Sequence, residues 1–362
     1  MTTARGRSGV MQIVNRLSPG GIETMALDLM GDPALVGPVI SLEGTRTELI
    51  ETWPALSAIS DQILCAGQGQ HSHLAVLRRI MSYMRAAKPR AVIAHHIGPL
   101  LHGGVAARLT GVPTIIHVEH DAWHYDNPKH RTIAKVCERI VRPKRVAVSQ
   151  EIVTRVHQFL PGARFTVIPP GIDVERHKPS DRAAARAMLG LNPAFRIVGS
   201  VGRLAEVKGH RFLIDAVSRL ADDWHLVLVG DGPERAALER QASEAGVGAR
   251  VHFLGMRSDP EAIVPAFDVF CLPSLAEGLP RAVLEAQACG VGVVASDVGG
   301  VAKAITAQSG KLVAAGDCDA LAAAINEVGA RQIDPSVIRA HVVAHFSLEA
   351  TKRSLRQLVE AN

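Results

Sequence analysis

The chain has 362 residues, room for two domains of ordinary size, and its 47% hydrophobic content with 32 glycines suits globular α/β material. Aromatic residues make up only 4%, which argues against base-stacking recognition of nucleic acid. No run approaches about 18 uninterrupted apolar residues, so no membrane span is expected. The charge is uneven: residues 1–171 carry 19 Lys+Arg against 12 Asp+Glu, and the remainder 21 against 23. A basic first half is compatible with nucleic acid, a membrane surface or an anionic substrate.

Met1 to Gly9 is polar and basic with no apolar signal region after it, and reads as a disordered lead. Val10 to Asn15 reads as a strand, followed by Ser18, Pro19, Gly20 and Gly21 and a helix from Ile22 to Met30; a glycine pair there lets backbone approach a ligand. Ala91 to Ala94 reads as a strand, Pro99 to Leu109 as a helix and Pro113 to Val118 as a strand. This alternation predicts a parallel sheet covered by helices on both faces. The next segment, HVEHDAWHYDNPKH, holds His117, His120, His124 and His130, with His95, His96 and His102 upstream. A zinc site is one reading, but no HExxH spacing or cysteine partner appears, and no metal is expected. His117 lies inside a strand and reads as structural. The five cysteines, 65, 137, 271, 289 and 318, lack CxxC spacing and read as small reduced core residues of a cytosolic protein.

Lys129 to Arg142 reads as a basic amphipathic helix. Ile133, Val136, Cys137, Ile140 and Val141 follow helical spacing, and five Lys or Arg residues decorate the rest. A core-packed stripe with a solvated face accounts for the pattern; the basic excess also suits anionic lipid headgroups. Val146 to Ser149 ends another strand, and VIPPGID, Val167 to Asp173, is an extended exit followed by a turn, as in a hinge. The first domain is therefore expected to end near residue 170.

Beyond it, a helix is expected over Asp181 to Leu189 and a strand over Arg196 to Val201. The loop GRLAEVKGH, Gly202 to His210, follows, and a helix runs to Leu220. Arg203 and Lys208 in that loop are two flexible cations able to grip a diphosphate. His225 to Val229 is a strand, and Gly230-Asp231-Gly232-Pro233 turns into a helix over Glu234 to Ala245. The third glycine of a dinucleotide fingerprint would fall at Arg235, so that pattern fails. Val251 to Leu254 is a strand, and Asp259 to Phe267 a short helix.

The chain is organised around residues 272–300, LPSLAEGLPRAVLEAQACGVGVVASDVGG. A buried strand, Phe267 to Leu272, leads through the loop Ser274 to Pro280 into a helix from Arg281 to about Cys289. The strand Val291 to Ala295 follows. Such a loop lies at the carboxyl edge of a sheet, where open α/β folds bind ligands, and the helix start offers free N–H groups to a phosphate. Glu277 and Glu285 flank it, and sugar or ribose hydroxyls are natural donors to both. Lys311 to Val313, the helix Asp317 to Val328 and a last helix Ser347 to Glu360 complete the chain.

The Glu277, seven residues, Glu285 element with the paired Gly299 and Gly300 resembles the signature of the retaining, nucleotide-sugar-dependent glycosyltransferases of the GT-B fold, of the group 1, family 4 type. This large group includes bacterial glycogen synthase and sucrose synthase. Gly202, Arg203, Lys208 and Gly209 match its diphosphate loop, VIPPGID its interdomain segment, and Gly20-Gly21-Ile22-Glu23 its first glycine-rich loop. Lys303 departs from the acid found in many relatives three residues after the glycine pair, and Gly292 replaces a common proline.

The resemblance implies two Rossmann-like domains facing each other across a cleft. An acceptor-binding domain over 1–170 would be completed by the helix 347–362 crossing back, and a nucleotide-sugar domain would span 171–346. Arg203 and Lys208 would hold the pyrophosphate with the N–H groups of Gly278 and Leu279, Glu285 the ribose and Glu277 the hydroxyls of the transferred sugar. His120, just past a strand end, would contact that sugar, with His124, Tyr125 and Asp126 near the acceptor. The implied reaction moves a hexose-type sugar, from a UDP-sugar in the first instance, to a glycan or lipid-linked acceptor in exopolysaccharide or cell-envelope synthesis. No cofactor or metal is needed, and the protein is expected in the cytoplasm, peripheral to an anionic inner membrane face, without nucleic acid. A sugar-nucleotide epimerase on the same scaffold, a glycosidase and a non-catalytic glycan-binding protein are the rival readings.

Overall fold

The computed structural model describes residues 9–67, 69 and 72–361. The lead expected over Met1 to Gly9 lies, but for Gly9, outside them. The chain divides into two compact units: one runs to Pro170 and takes in the segment from Glu349 onward, and the other is Gly171–Leu348.

The first unit is built on seven strands: β1 (Val10–Val14), β2 (Val39–Ser41), β3 (Ile63–Cys65), β4 (Ala91–His95), β5 (Thr114–Glu119), β6 (Lys144–Ala147) and β7 (Phe165–Val167). They lie in the order β3-β2-β1-β4-β5-β6-β7. Every pairing is parallel. The second unit holds β8 (Arg196–Val201), β9 (Trp224–Val229), β10 (Val251–Gly255), β11 (Val269–Leu272), β12 (Gly292–Ser296) and β13 (Gly310–Val313). Its order is β10-β9-β8-β11-β12-β13, again all parallel.

Parallel sheets need helical crossovers on both faces, so their strands are apolar throughout rather than alternating. All five residues of β4 and all six of β9 are buried. In the second unit Val198, Leu226, Leu228, Val269, Cys271 and Val294 form one sheet face. Leu213, Ile214 and Val217 of the helix His210–Val217 and Leu321 and Ile325 of the helix Cys318–Ala330 cover it. Each such side chain contributes about 1.5–3 kcal/mol on burial.

Chain order reverses between β1 and β4 in the first sheet and between β8 and β11 in the second. In open α/β sheets the crevice beyond the carboxyl ends of the strands at such a reversal takes the ligand. The glycine loop after β1 and the histidines after β4 and β5 lie at the first carboxyl edge. The loops Gly202–Gly209 and Pro273–Pro280 lie at the second.

The last helix, Leu348–Glu360, belongs to the first unit from Glu349 onward. Thr351 Oγ1 donates to Pro169 O at 2.9 Å, Lys144 Nζ to Leu358 O at 2.9 Å, and Arg356 pairs with Asp32 at 3.6 Å.

Most expected elements are present with small shifts. The helix expected over Pro99 to Leu109 begins earlier, at Ile97, and carries a π turn over Leu100–Gly104 before Val105–Leu109. In the helix Pro128–Ile140 only Ala134 and Cys137 are buried, while Val136 and Ile140 are exposed. The apolar stripe expected there is thus only half covered. β2 and β3, three residues each, were not anticipated, nor were the helices His73–Ala87 and Pro335–His345. All five cysteines are free, four of them buried and Cys318 partly exposed.

Candidate functional site

In the second unit, sequence-distant residues converge at the β8/β11 edge. Lys208 Nζ donates to Glu277 Oε1 at 2.7 Å, and Ser274 Oγ donates to the same oxygen at 2.6 Å. The Glu277 side chain is 6% exposed, so these donors offset the loss of water around its charge.

Backbone contacts lock the loops that carry the pair. Leu275 N donates to Val207 O at 2.8 Å, tying the Glu277 loop to the Lys208 loop. Gly209 has φ +65°, and a Cβ there would sit 2.1 Å from Pro273 O. Gly299 has φ +55°, and its Cβ would sit 1.9 Å from Glu277 O, while Gly300 N donates to Gly278 O at 2.7 Å. Only glycine allows both the left-handed backbone and that approach. The paired glycines therefore act as the backrest of the Glu277 loop. The Asp231 turn braces the opposite side: Leu204 N donates to Asp231 O, and Glu234 N to Leu204 O, each at 3.0 Å.

Several groups at this edge are left to act. Arg203 is exposed and makes no ion pair among the described residues. Among the described residues, the N–H groups of Gly278 and Leu279 donate to no protein group. Both precede the helix Arg281–Ala288, whose N-cap is Pro280 and whose dipole adds partial positive charge. Glu285, on the first turns of that helix, meets Arg281 Nε at 3.6 Å with 14% of its side chain exposed, and Arg281 Nη1 donates to Gly171 O at 2.6 Å. Glu285 is thus charge-balanced by a residue that sequence reasoning passed over. Lys303 is exposed on the short helix Val301–Ala304, and its carbonyl meets His341 Nε2 at 3.0 Å. His210, at the start of its helix, is buried against Ser200 Oγ at 3.3 Å; burial and the neighbouring Lys208 charge push its pKa down to about 4.

In the first unit, Gly20 caps the helix Gly21–Met30 in extended backbone. His120, partly exposed, meets His95 Nδ1 through its Nε2 at 2.9 Å, and His95 Nε2 reaches Gln12 Oε1 at 2.9 Å. His95 is fully buried, and burial followed by the nearby His96 pushes its pKa down to about 3. It is therefore neutral and holds His120 by one ring nitrogen.

His117 is fully buried and structural, as its place in the strand suggests; burial, then the Arg145 charge, holds its pKa well below the usual value. Around it lie Glu119, Arg145 and Glu138, which sequence reasoning did not single out, together with His96, Asp121, His124 and Tyr125, which the sequence did bring forward. Glu119 is wholly buried, accepts from Tyr125 OH and lies 3.6 Å from Arg145 Nη1; burial raises its pKa. Arg145 Nε also donates to Glu138 at 2.6 Å. His124 meets Asp121 at 3.0 Å, and His96 meets Asp121 at 3.5 Å. Burial disfavours the charged form of His124, but the hydrogen bond to Asp121 and the Glu119 charge outweigh it, so its pKa is raised. The signal missed in the sequence was a buried Glu followed by Tyr six residues later, within a segment read as loop. A short 3-10 turn, Trp123–Asp126, gives it shape.

Comparison with known proteins places this architecture. Residues 195–330 match the family model described as Glycosyl transferases group 1, and residues 40–176 match that described as Glycosyltransferase Family 4. A D-inositol 3-phosphate glycosyltransferase of Mycolicibacterium gilvum (strain PYR-GCK) is 39% identical over 206 residues, which cover 54% of this chain and 45% of that protein. The chain thus spans about half the length of most of the curated relatives it matches. The Bacillus subtilis (strain 168) protein EpsF, which bears a glycosyltransferase name, is 29% identical over 310 residues, 80% of this chain and 79% of EpsF. Among solved structures, Anabaena HepE in complex with UDP-glucose superposes with a TM-score of 0.81 at 22% identity, covering 98% of this chain and all of HepE. WaaG, a glycosyltransferase involved in lipopolysaccharide biosynthesis, superposes with a TM-score of 0.73 at 18% identity, over 98% of this chain and all of WaaG.

Proposed function

We propose that this chain, a glycosyltransferase of the GT-B type, moves a hexose-type sugar from a nucleoside-diphosphate sugar to a glycan or lipid-linked acceptor with retention of the anomeric configuration. One observation carries the reading. The second unit presents Arg203 and the free N–H groups of Gly278 and Leu279 beside a Lys208–Glu277 pair whose loop is clamped by Gly299 and Gly300. That is a cation-and-amide cradle for a pyrophosphate next to an acceptor of sugar hydroxyls.

In this reading Arg203, Lys208 and the two N–H groups bind the pyrophosphate and stabilise the charge that develops as the sugar–phosphate bond breaks. Glu285 accepts from the ribose hydroxyls and Glu277 from those of the transferred sugar. The acceptor oxygen bonds to the anomeric carbon on the face from which the phosphate departs, and its proton passes to a phosphate oxygen, so that the nucleoside diphosphate leaves. His120 contacts the transferred sugar, and its tie to neutral His95 fixes how its ring is presented. The first unit supplies the acceptor site. The leaving-group charge is carried by Arg203 and Lys208, without a metal in that step.

The bound UDP-glucose of HepE supports a UDP-sugar as donor, and the lipopolysaccharide role of WaaG supports envelope or exopolysaccharide glycan as acceptor. We place the protein in the cytoplasm, peripheral to the membrane: the helix Pro128–Ile140 exposes Val136 and Ile140 among Lys129, Lys135 and Arg139. No helix among the described residues is long and apolar enough to cross a membrane.

The test is nucleoside-diphosphate release from a panel of UDP-, GDP- and ADP-sugars, with and without added oligosaccharide or polyprenyl-phosphate-linked glycan. Transfer predicts acceptor-dependent release and a product with the donor's anomeric configuration by proton NMR. Release with no acceptor and a sugar of changed ring stereochemistry would instead identify an epimerase, and failure to bind any nucleoside diphosphate would leave a glycan-binding protein. Flotation with vesicles containing anionic lipid checks the membrane assignment; equal, negligible binding to neutral and anionic vesicles contradicts it.

A further inference from the structure

We propose that His96, Asp121 and His124 form a binding site for a divalent late first-row transition-metal ion, zinc first among them, at the carboxyl edge of the first sheet. A donor atom from each of the three lies within 4.8 Å of the other two. The ligands come from two strand exits: His96 follows β4, and Asp121 and His124 follow β5. The transfer reaction proposed above assigns none of the three a ligand role.

The distances suit an ion. Asp121 presents one carboxylate oxygen 3.0 Å from His124 Nδ1 and the other 3.5 Å from His96 Nε2. Two ligands of a tetrahedral zinc with bonds of about 2.0–2.1 Å are separated by roughly 3.4 Å, so little movement is needed to admit one. Two imidazole nitrogens and one carboxylate are a donor set for zinc, cobalt, nickel or iron rather than for magnesium or calcium. A fourth position is left for water.

The second nitrogen of His124 supplies an independent observation. His124 Nε2 and Glu119 Oε2 are both buried and without a hydrogen-bond partner, and they face each other at 3.6 Å. The Glu119 side chain is wholly buried and that of His124 is 10% exposed. A carboxylate facing the remote N–H of a histidine is the arrangement that holds a metal-binding imidazole in one tautomer. With the proton at Nε2 toward Glu119, Nδ1 faces the Asp121 carboxylate at 3.0 Å, a gap that either a second ring proton or a metal ion fills, and the test below separates the two.

The backbone agrees. His96 has φ +76°, a conformation that side-chain-bearing residues adopt only when the surrounding structure holds them there. Its amide donates to Val118 O at 3.2 Å and its carbonyl accepts from Leu100 N at 3.1 Å, so the neighbouring strand and helix hold its main chain in that conformation. The His96 side chain is 20% exposed and gives the ion a way in.

The test is calorimetry of chelator-stripped full-length protein with zinc chloride against a competing chelator, with metal content measured after gel filtration. A His73→Ala background removes the exposed His73–His102 pair as a second zinc binder. One zinc per chain is expected, with affinity lowered at least about 100-fold by His124→Ala or His96→Ala, and about 10–100-fold by Glu119→Gln through loss of the carboxylate behind the ring. Cobalt substitution reports geometry: intense visible bands are expected and vanish in His96→Gln, a change at the exposed edge that spares folding if His124→Ala does not. Absence of stoichiometric zinc from the parent protein overturns the proposal and leaves a proton at His124 Nδ1. Binding undiminished in both His96→Gln and Glu119→Gln overturns it as well. Neither result touches the donor site, which is read by nucleotide binding at Arg203.

Discussion

Glu277 has most of its charge out of water, and its stability depends on Lys208 and Ser274. Lys208→Ala leaves that carboxylate half-compensated and is expected to destabilise the protein by about 2 kcal/mol in denaturant titration, since unpairing a buried ion outweighs the attraction lost. Glu277→Gln in the same background restores the stability but not sugar transfer; recovery of both would show that Lys208 serves only to neutralise Glu277. Arg203 carries no such structural burden. Arg203→Ala is expected to leave the melting temperature unchanged while lowering kcat about 10²–10³-fold, the size of a lost oxyanion-type contact. His210 offers a pH test. Its folded pKa, about 4, lies below the unfolded value near 6.5, so the unfolded chain binds the extra proton between those values. Its contribution is fully present above about pH 6.5 and is lost as pH falls toward 4, the loss amounting to roughly 1 kcal/mol at pH 5.5. Denaturation at pH 7.5 and 5.5 should show a smaller difference for His210→Gln than for the parent. At this scale Arg203, Lys208, Glu277 and Glu285 could be named as candidates from the sequence because their short stretches resemble the signature of the GT-B glycosyltransferases. Glu119, Arg145 and Arg281 could not. Arg145 meets Glu119 from a neighbouring strand and Arg281 reaches Gly171 far along the chain, and although Tyr125, Glu138 and Glu285 lie close in sequence, spacing does not report that these pairs are buried together.

Elements transmit these constraints through backbone. Gly299→Ala must displace either its own loop or the Glu277 carbonyl, because a Cβ there falls 1.9 Å from that oxygen. Loss of at least about tenfold in nucleoside-diphosphate affinity is expected, measured by calorimetry. Gly246→Ala is the control: it shares a positive φ of 71° but meets nothing within 4 Å, so it carries about 1 kcal/mol of backbone strain with affinity intact. Equal affinity loss in both would remove the role assigned to the glycine pair. Long apolar strands and the helices joining them were readable from period and punctuation. β2 and β3 were not, because three residues make no period. The Pro128–Ile140 helix shows the opposite failure, where helical spacing was clear but which side would be covered depended on neighbours the spacing does not name.

At the scale of the whole molecule, two parallel sheets each reverse their strand order at the point where the candidate groups gather, which is the relation between fold and ligand site expected of open α/β sheets. The alternation of strand and helix patterns and the proline-rich segment near residue 170 made two such units readable in advance; the strand order did not follow from pattern, since parallel pairing is chosen by packing. The central claim is that the second unit holds a nucleotide sugar by its pyrophosphate through Arg203 and Lys208. Calorimetric titration of the parent protein and of the Arg203→Ala, Lys208→Ala double variant with UDP, and with uridine as the phosphate-free control, tests it most directly. UDP binding to the parent is expected to weaken at least about 100-fold on the double change, with weak uridine binding alike in both. UDP binding of equal strength in the two proteins would contradict it.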